Sequence, residues 1–186
     1  EGGEVDVPNV GTFEFEPLSA ERLGFEAEQS GQLRELIEAT VEENFAGYGV
    51  VAVSTDETLP HGAYSIIHFG GFDPKLFGIS ENIDYYNRDK TDEAIVFAES
   101  FVGVFGLEPT LEQMATALGN IAAHEGGHLL GLNHTADAAS LMDSASPPDS
   151  FIGDQEFIWT DLAEQIFPIG TQDAPLLLSE TVGPGQ

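Results

Sequence analysis

The sequence predicts a single domain of the α+β class. One stretch alternates apolar and polar residues, three stretches are short and apolar, and two carry an apolar stripe with helical spacing. With 186 residues, 41% of them hydrophobic, the chain has enough apolar mass for one core. No apolar run approaches the roughly 20 residues of a membrane-spanning helix.

The first predicted elements are a strand and a helix. Residues 11–18 alternate phenylalanine with glutamate, which is typical of a strand with one buried face. Ser30 can cap a helix that continues to about Phe45, where Gly47 is a natural stop. Its apolar stripe consists of Leu33, Leu36, Ile37, Val41 and Phe45.

Three apolar runs then predict buried strands at residues 49–54, 64–69 and 94–97. The first is rich in β-branched residues, and the second ends at Gly70 and Gly71.

A second helix is predicted from Thr110 onward. Thr110 is a good N-cap, Gln113 can complete a capping box, and Pro109 lies just outside. Gly126 and Gly127 each cost a helix interior about 1 kcal/mol relative to alanine. We expect a close approach of backbone or substrate at Gly127, whereas the sequence gives no firm account of Gly126. The core-facing stripe consists of Leu111, Met114, Leu118, Ile121 and Ala122.

The last part of the chain carries weaker signals. It is loop-like after Met142, and Thr160 can cap a final helix over residues 161–167, which Pro168 would stop. Residues 181–186 are predicted to be a linker or a frayed tail.

Residues 124–134 read His-Glu-Gly-Gly-His-Leu-Leu-Gly-Leu-Asn-His. His124 and His128 are four residues apart on a helix, so they share one face and can share a metal. Gly131 can leave the helix in a left-handed conformation, and the returning chain then brings His134 as a third nitrogen. Three neutral imidazoles with an open fourth position are typical of a catalytic zinc.

Two other interpretations fit part of this pattern. The stretch could be a glycine-containing amphipathic helix with solvated histidines. A distant glutamate could also serve as the third ligand in place of His134. The joint placement of Gly131 and His134 favours the site with three histidines.

This segment resembles the signature of the metzincin zinc endopeptidases, H-E-x-x-H-x-x-G-x-x-H followed by a Met-turn. The short distance from His134 to Met142 is similar to the matrixin branch. No tyrosine follows Met142, which disfavours the astacin-like and serralysin-like branches. The chain departs from matrixins in having Asp143 to Ser146 before the next proline, and in lacking the histidines of their structural zinc. The specific resemblance covers about residues 110–148.

The resemblance implies a metzincin-like fold, in which a twisted mixed sheet packs on two helices. Residues 1–186 would then form a single metallopeptidase catalytic domain. The upper subdomain would comprise about residues 1–131. The lower one, about residues 132–186, would be small and would carry the Met-turn and a final helix.

The resemblance also implies a zinc-dependent endopeptidase that acts on protein or peptide substrates. His124, His128 and His134 would hold one catalytic zinc, Glu125 would be the general base, and Met142 would form an apolar floor below the metal. A different class of function is a non-catalytic zinc-binding module of a larger surface or adhesion protein, and a third is a hydrolase of non-protein amides. We expect a monomer that is secreted or exposed at the cell surface, with an export signal that is not in this chain.

The charge of the chain is extreme, with 33 acidic residues against five basic ones and a net charge of −28. Such a surface repels nucleic acid and anionic membranes. It predicts adaptation to high salt, in which cations screen the carboxylates, and an ordinary acidic exported protein is the alternative. The absence of cysteine excludes disulfides and a cysteine-based latency element within this chain, and it leaves the compartment open.

Clustered oxygen ligands between residues 73 and 93 also suggest calcium binding. The candidate ligands are Asp84, Asn87, Asp89 and Asp92. EF-hand spacing is absent, and a solvated acidic loop is the alternative.

Overall fold

A computed structural model describes residues 3–55, 58–59, 61–105, 108–165 and 169–185. The strands are β1 (Gly3–Val7), β2 (Gly11–Phe15), β3 (Ile66–Phe69), β4 (Gly78–Ser80), β5 (Glu93–Val96), β6 (Trp159–Asp161) and β7 (Thr171–Asp173). The helices are α1 (Ser30–Phe45), α2 (Leu111–Leu129) and α3 (Ala174–Val182). The predicted α+β class, with a twisted mixed sheet and a small C-terminal helix, is confirmed.

The central sheet has three strands, with β5 in the middle. β3 runs parallel to β5, and β4 runs antiparallel on its other side. Side chains of β5 alternate between the two faces, as a strand requires. Val96 lies in the main core with α1 and α2, whereas Ile95 packs with Val7 of the β1–β2 hairpin on the opposite face.

Helices α1 and α2 pack closely against each other and form the main core. Leu33 and Ile37 of α1 and Leu118 of α2 are buried there. A Cβ atom at Gly119 would lie 2.5 Å from the Cβ of Thr40, so glycine at this position allows the two helices to approach. The approach fixes α2, which carries the histidines, relative to the rest of the fold.

Several predicted boundaries are accurate. α1 spans the predicted residues, although Ser30 is its first residue and Gln29 is the N-cap. The Ser30 hydroxyl accepts a hydrogen bond from the Ala20 amide and donates one to the Ala27 carbonyl. The strands predicted at residues 64–69 and 94–97 correspond to β3 and β5.

The strand predicted at residues 49–54 is wrong. This segment is irregular, and Val51 is 84% exposed. The physical reason is that the start of the segment pairs with the end of the chain: the Gly49 amide donates to the Gly183 carbonyl, and Tyr48 forms a bridge with Pro184. Neither pairing brings the segment into the central sheet.

The prediction of a final helix at residues 161–167 is also wrong, because the described residues 161–165 are not helical. Asp161 belongs to β6, and Leu162 forms a bridge with Thr135; residues 166–168 lie outside the described residues. The final helix is α3, whose start is set by Asp173, which accepts a hydrogen bond from the Leu176 amide. The predicted tail at residues 181–186 therefore begins as the last turn of α3, and residue 186 is outside the described part.

Within the described ranges, no helix is both long enough and apolar enough to cross a membrane.

Candidate active site

The site is built on the C-terminal half of α2. The helix starts with the predicted capping box, in which Thr110 accepts from the Gln113 amide and Gln113 accepts from the Thr110 amide. The predicted apolar stripe of α2 is buried against α1 and the sheet. This packing places both His124 and His128 in the interior, only 7% and 5% exposed.

The chain leaves α2 through the predicted glycine turn. Gly131 has φ +95°, and its amide donates to the His128 carbonyl. A Cβ atom at Gly131 would lie 3.0 Å from the Cα of Tyr85 and 3.1 Å from the carbonyl oxygen of Asp84. Glycine is therefore needed both for the backbone conformation and for the close packing of residues 84–86 on the turn.

The turn brings the third histidine to the other two. The Nε2 atom of His134 lies 3.0 Å from Nε2 of His128 and 3.1 Å from Nε2 of His124. Tetrahedral zinc with Zn–N distances of about 2.0–2.1 Å would separate its nitrogen ligands by about 3.3 Å. The three nitrogens thus converge at nearly the spacing that zinc requires.

Backbone carbonyls orient two of the imidazoles. His124 Nδ1 lies 2.7 Å from the Leu141 carbonyl oxygen, and His128 Nδ1 lies 2.7 Å from that of Leu132. Each Nδ1 must carry the proton to make this contact, so each Nε2 has a free lone pair. Two lone pairs that converge in a buried space are stabilised by a cation, which is consistent with a metal site.

The protonation of the histidines also suits metal binding. Burial, together with the smaller effect of His134, lowers the pKa of His124 to about 4, and the contact with Leu141 opposes this shift. Burial likewise lowers the pKa of His128 well below its usual value. For His134, burial lowers the pKa and the Asp143 carboxylate opposes the change. All three imidazoles are therefore neutral near pH 7, the form that binds zinc.

Glu125 is buried beside the histidines and faces β4. Its side chain is 4% exposed and forms hydrogen bonds with the side chain and backbone of Ser80. Burial raises the pKa of Glu125 to about 8, and the Ser80 hydrogen bonds oppose this rise. A Cβ atom at Gly78 would lie 2.5 Å from Glu125 Oε1, so glycine in β4 allows the strand to pass close to this carboxyl.

Met142 packs directly against α2 at Gly127. A Cβ atom at Gly127 would lie 2.6 Å from Met142 Sδ and 3.3 Å from Phe157 Cε1. The close approach expected at Gly127 therefore involves the Met142 side chain. At Gly126, the nearest atoms to such a Cβ are 3.4 Å away in Phe45, an ordinary contact, and nothing in the structure explains that glycine.

The predicted calcium residues lie in the loop between β4 and β5. Asp92 is fully buried and accepts a hydrogen bond from Ser65, and burial raises its pKa to about 6. Among the described residues, Asp92 Oδ2 and Asn87 Oδ1 are buried without a hydrogen-bond partner. However, the described aspartates of this loop do not bring three ligand atoms within 4.8 Å of one another, as the three histidines do. Calcium binding stays a prediction.

Sequence reasoning missed four residues that surround the site: Gly78, Ser80, Tyr85 and Gln172. Gly78 and Ser80 lie on β4, which is too short for an alternating pattern. Tyr85 and Gln172 approach Asn133 from distant parts of the chain. No local signal marks them, because their role depends on tertiary contacts.

The sequence profile of the matrixin family matches residues 37–151. The chain belongs to the matrixin family. The match extends from within α1 past Met142, so it includes all three histidines and Glu125. No curated protein and no solved structure gives a match to the chain. Family membership and the histidine cluster together support a zinc metallopeptidase.

Proposed function

We propose that this matrixin is a zinc-dependent endopeptidase in which Glu125 is the general base. The observation that carries the proposal is a buried carboxyl group next in sequence to a zinc ligand, on the helix that holds two of the three histidines. His124, His128 and His134 would hold the zinc through their Nε2 atoms. When bound, zinc supplies a Lewis acid that polarises the peptide carbonyl and acidifies the attacking water.

Glu125 performs the proton transfers of the proposed reaction. With zinc bound, the pKa of Glu125 would fall from the value of about 8 that burial gives it, because a nearby positive charge favours the ionised form. The ionised carboxylate would then accept a proton from the attacking water and return it to the nitrogen of the leaving amine. Hydrogen bonds with Ser80 hold the carboxyl in one orientation. Met142 fills the space beside Gly127. Its side chain would form an apolar floor below the metal without being a ligand.

The proposed substrate site is the edge of β4 that pairs with no other strand among the described residues. β4 is one of the two outer strands of the three-stranded sheet, and Ser80 at its end contacts Glu125. An extended peptide that adds to this edge through backbone hydrogen bonds would lie next to the proposed general base. The cleft would then run between the upper subdomain, about residues 1–131, and the lower subdomain, about residues 132–186.

The alternative function, a non-catalytic zinc module in a surface or adhesion protein, does not account for Glu125. A structural zinc site needs no buried carboxyl group beside its ligands, and burying one is unfavourable. A hydrolase of non-protein amides would use the same residues, and a peptide-library digest would distinguish it by showing no cleavage.

We also propose that the protein is a monomer that acts outside the cell, in a salt-rich environment. Matrixin membership supports the location, and the net charge of −28 supports the environment. Size-exclusion chromatography of the zinc-loaded protein, and its detection in the medium of the source cells, test these points. A stable dimer or a purely intracellular protein would contradict them.

Substitution of the general base tests the proposed mechanism. We expect Glu125→Gln to lower the rate of peptide cleavage by about 10²- to 10⁴-fold, since general-base catalysis contributes that much. The zinc content, measured by atomic absorption, should not change, because Glu125 is not a ligand.

The matched control is Glu112→Gln, which removes an exposed carboxylate from the first turn of the same helix. This control should cleave at the parent rate. Near-normal cleavage by Glu125→Gln, or loss of its zinc, would show that the assigned role is wrong.

A further inference from the structure

The backbone just before the third histidine is held by a side chain of β7. The Gln172 Oε1 atom accepts a hydrogen bond from the Asn133 amide at 2.8 Å, and the Gln172 Nε2 atom donates one to the Asn133 carbonyl at 2.9 Å. Both residues are buried, with Gln172 3% and Asn133 8% exposed. One side-chain amide therefore satisfies both backbone groups of a residue that has no secondary structure of its own.

We propose that Gln172 is a positioning residue for zinc binding, because its paired hydrogen bonds to Asn133 hold His134 in place to bind the metal. Gln172 contacts neither the zinc site nor the reacting atoms, and it acts through the Asn133 backbone. The proposal rests on the zinc site and does not require peptide cleavage. Failure of the Glu125 experiment would therefore leave it standing.

The neighbouring backbone contacts support this assignment. The Leu132 carbonyl accepts a hydrogen bond from His128 Nδ1, and the His134 carbonyl accepts one from the Ala163 amide at 3.0 Å. His128 and His124 are fixed by the rigid helix α2, whereas His134 lies on an irregular segment. His134 therefore depends on such contacts for its position, and Gln172 supplies two of them.

The position of Gln172 on β7 explains how it reaches Asn133. β7 pairs with β6 so that Gln172 lies opposite Thr160, and both side chains are buried. Tyr85 contacts Asn133 separately, through a hydrogen bond from its hydroxyl to Asn133 Oδ1 at 3.0 Å. Only the side chain of Asn133 takes part in that contact, so Gln172 is the residue that constrains the backbone.

Metal affinity tests the proposal directly. Gln172→Met retains a side chain of similar length but loses both hydrogen bonds to the Asn133 backbone, which leaves two buried backbone groups unpaired. It also loses the longer hydrogen bond of 3.5 Å that Asn133 Nδ2 donates to Gln172 Oε1. We expect zinc affinity, measured by competition with a chelating dye, to fall about 10- to 100-fold, the usual effect of removing a group that orients a metal ligand. The visible spectrum of the cobalt-substituted protein should also change, because the position of His134 changes.

The control variant for general destabilisation is Asp173→Ala. It removes the hydrogen bond from the Leu176 amide that starts α3, next to Gln172, without touching Asn133. This variant should melt at a lower temperature and bind zinc as tightly as the parent. Parent-like zinc affinity in Gln172→Met would overturn the proposal, and so would an equal loss of affinity in both variants.

A measurement on the parent protein covers the case in which Gln172→Met does not fold. In the zinc-loaded parent, the Asn133 amide should exchange with solvent as slowly as the amides of α2, because Gln172 holds it. Exchange as fast as that of exposed loop amides would show that the two hydrogen bonds do not persist in solution, and the proposal would fail.

Discussion

Residues 124–142 and residues 159–182 meet at the zinc site, and they contribute to it in different ways. The first region supplies the three histidines, Glu125 and Met142, and it lies inside the match to the matrixin family. The second region lies outside that match and supplies Gln172 and the buried face of α3. One short motif thus carries the three histidines, whereas residues far along the chain pack against the region that contains them and include Gln172, for which we propose the positioning role.

The two regions share one hydrophobic cluster. Met142 and Leu132 of the first region pack with Ala174 and Leu178 of α3, and Phe157 lies between the regions in sequence. α3 thus belongs to the packing that supports the histidines.

The largest stability effect should come from this shared cluster. Leu178 is fully buried, so Leu178→Ala should lower the free energy of unfolding by about 2–5 kcal/mol through lost burial and a cavity. Thermal or denaturant unfolding of the zinc-loaded protein measures this change. Leu176→Ala in the same helix is the matched control; Leu176 is 52% exposed, and the expected change is within about 0.5 kcal/mol. Equal effects in the two variants would mean that α3 does not support the first region.

Substitution of Gly126 or Gly127 should change the free energy of unfolding by less than Leu178→Ala does. Both glycines lie in the first region, so these variants test that region alone. In Gly127→Ala, the new methyl group would lie 2.6 Å from Met142 Sδ and 3.3 Å from Phe157 Cε1. We expect a loss of about 1–3 kcal/mol in the free energy of unfolding, as for other overpacked cores. Gly126→Ala meets Phe45 only at an ordinary contact distance and should gain about 0.5–1 kcal/mol from higher helix propensity. If denaturant unfolding ranked the two variants in the opposite order, the packing described for Met142 would be incorrect.

These two regions also differ in how far their structure could be predicted. α2 and its cap, the left-handed Gly131 and the meeting of three histidines follow from local patterns of spacing and helix termination. The structure at residues 159–182 does not follow from such patterns. β6 and β7 have three residues each, and Asp173, the last residue of β7, is also the N-cap of α3. Asp173 followed by Ala174 and Pro175 is a sequence pattern that can mark the start of a helix. Thr160 is also a possible N-cap, and it predicts a helix at residues 161–167, where the described residues are not helical.

Contacts between segments distant in sequence explain the other differences between the predicted and the observed structure. The apolar run at residues 49–54 has the composition of a strand, yet the end of the chain pairs with its start. β4 was missed because three residues that include Gly78 carry no strand pattern. The contacts of Ser80 with Glu125 and of Gln172 with Asn133 could not be predicted, because they join elements distant in sequence.

The smallest effect on stability per charged group should come from the acidic surface, to which both regions contribute. With a net charge of −28, surface carboxylates repel one another in the compact state, and unfolding relieves that repulsion. Sodium chloride shortens the screening length from about 30 Å at 0.01 M to about 3 Å at 1 M, so the melting temperature should rise over that range.

A thermal scan of the zinc-loaded protein across sodium chloride concentrations measures this rise. The same scan with millimolar calcium tests the predicted ligands Asp84, Asn87, Asp89 and Asp92, since a bound ion adds stability that sodium does not reproduce. A melting temperature that is flat in sodium chloride would contradict salt adaptation. The absence of any extra calcium effect would remove the calcium prediction.

The most direct test of a zinc endopeptidase centred on His124, His128 and His134 is a digest of an unstructured protein, with cleavage sites read by mass spectrometry. The parent protein would be assayed as purified, after removal of metal by a chelator, and after zinc is restored, all in molar sodium chloride. We predict cleavage at internal peptide bonds that is lost with the metal and recovered with one zinc per chain. Cleavage that persists without metal, or no cleavage by the zinc-loaded protein, would contradict the account.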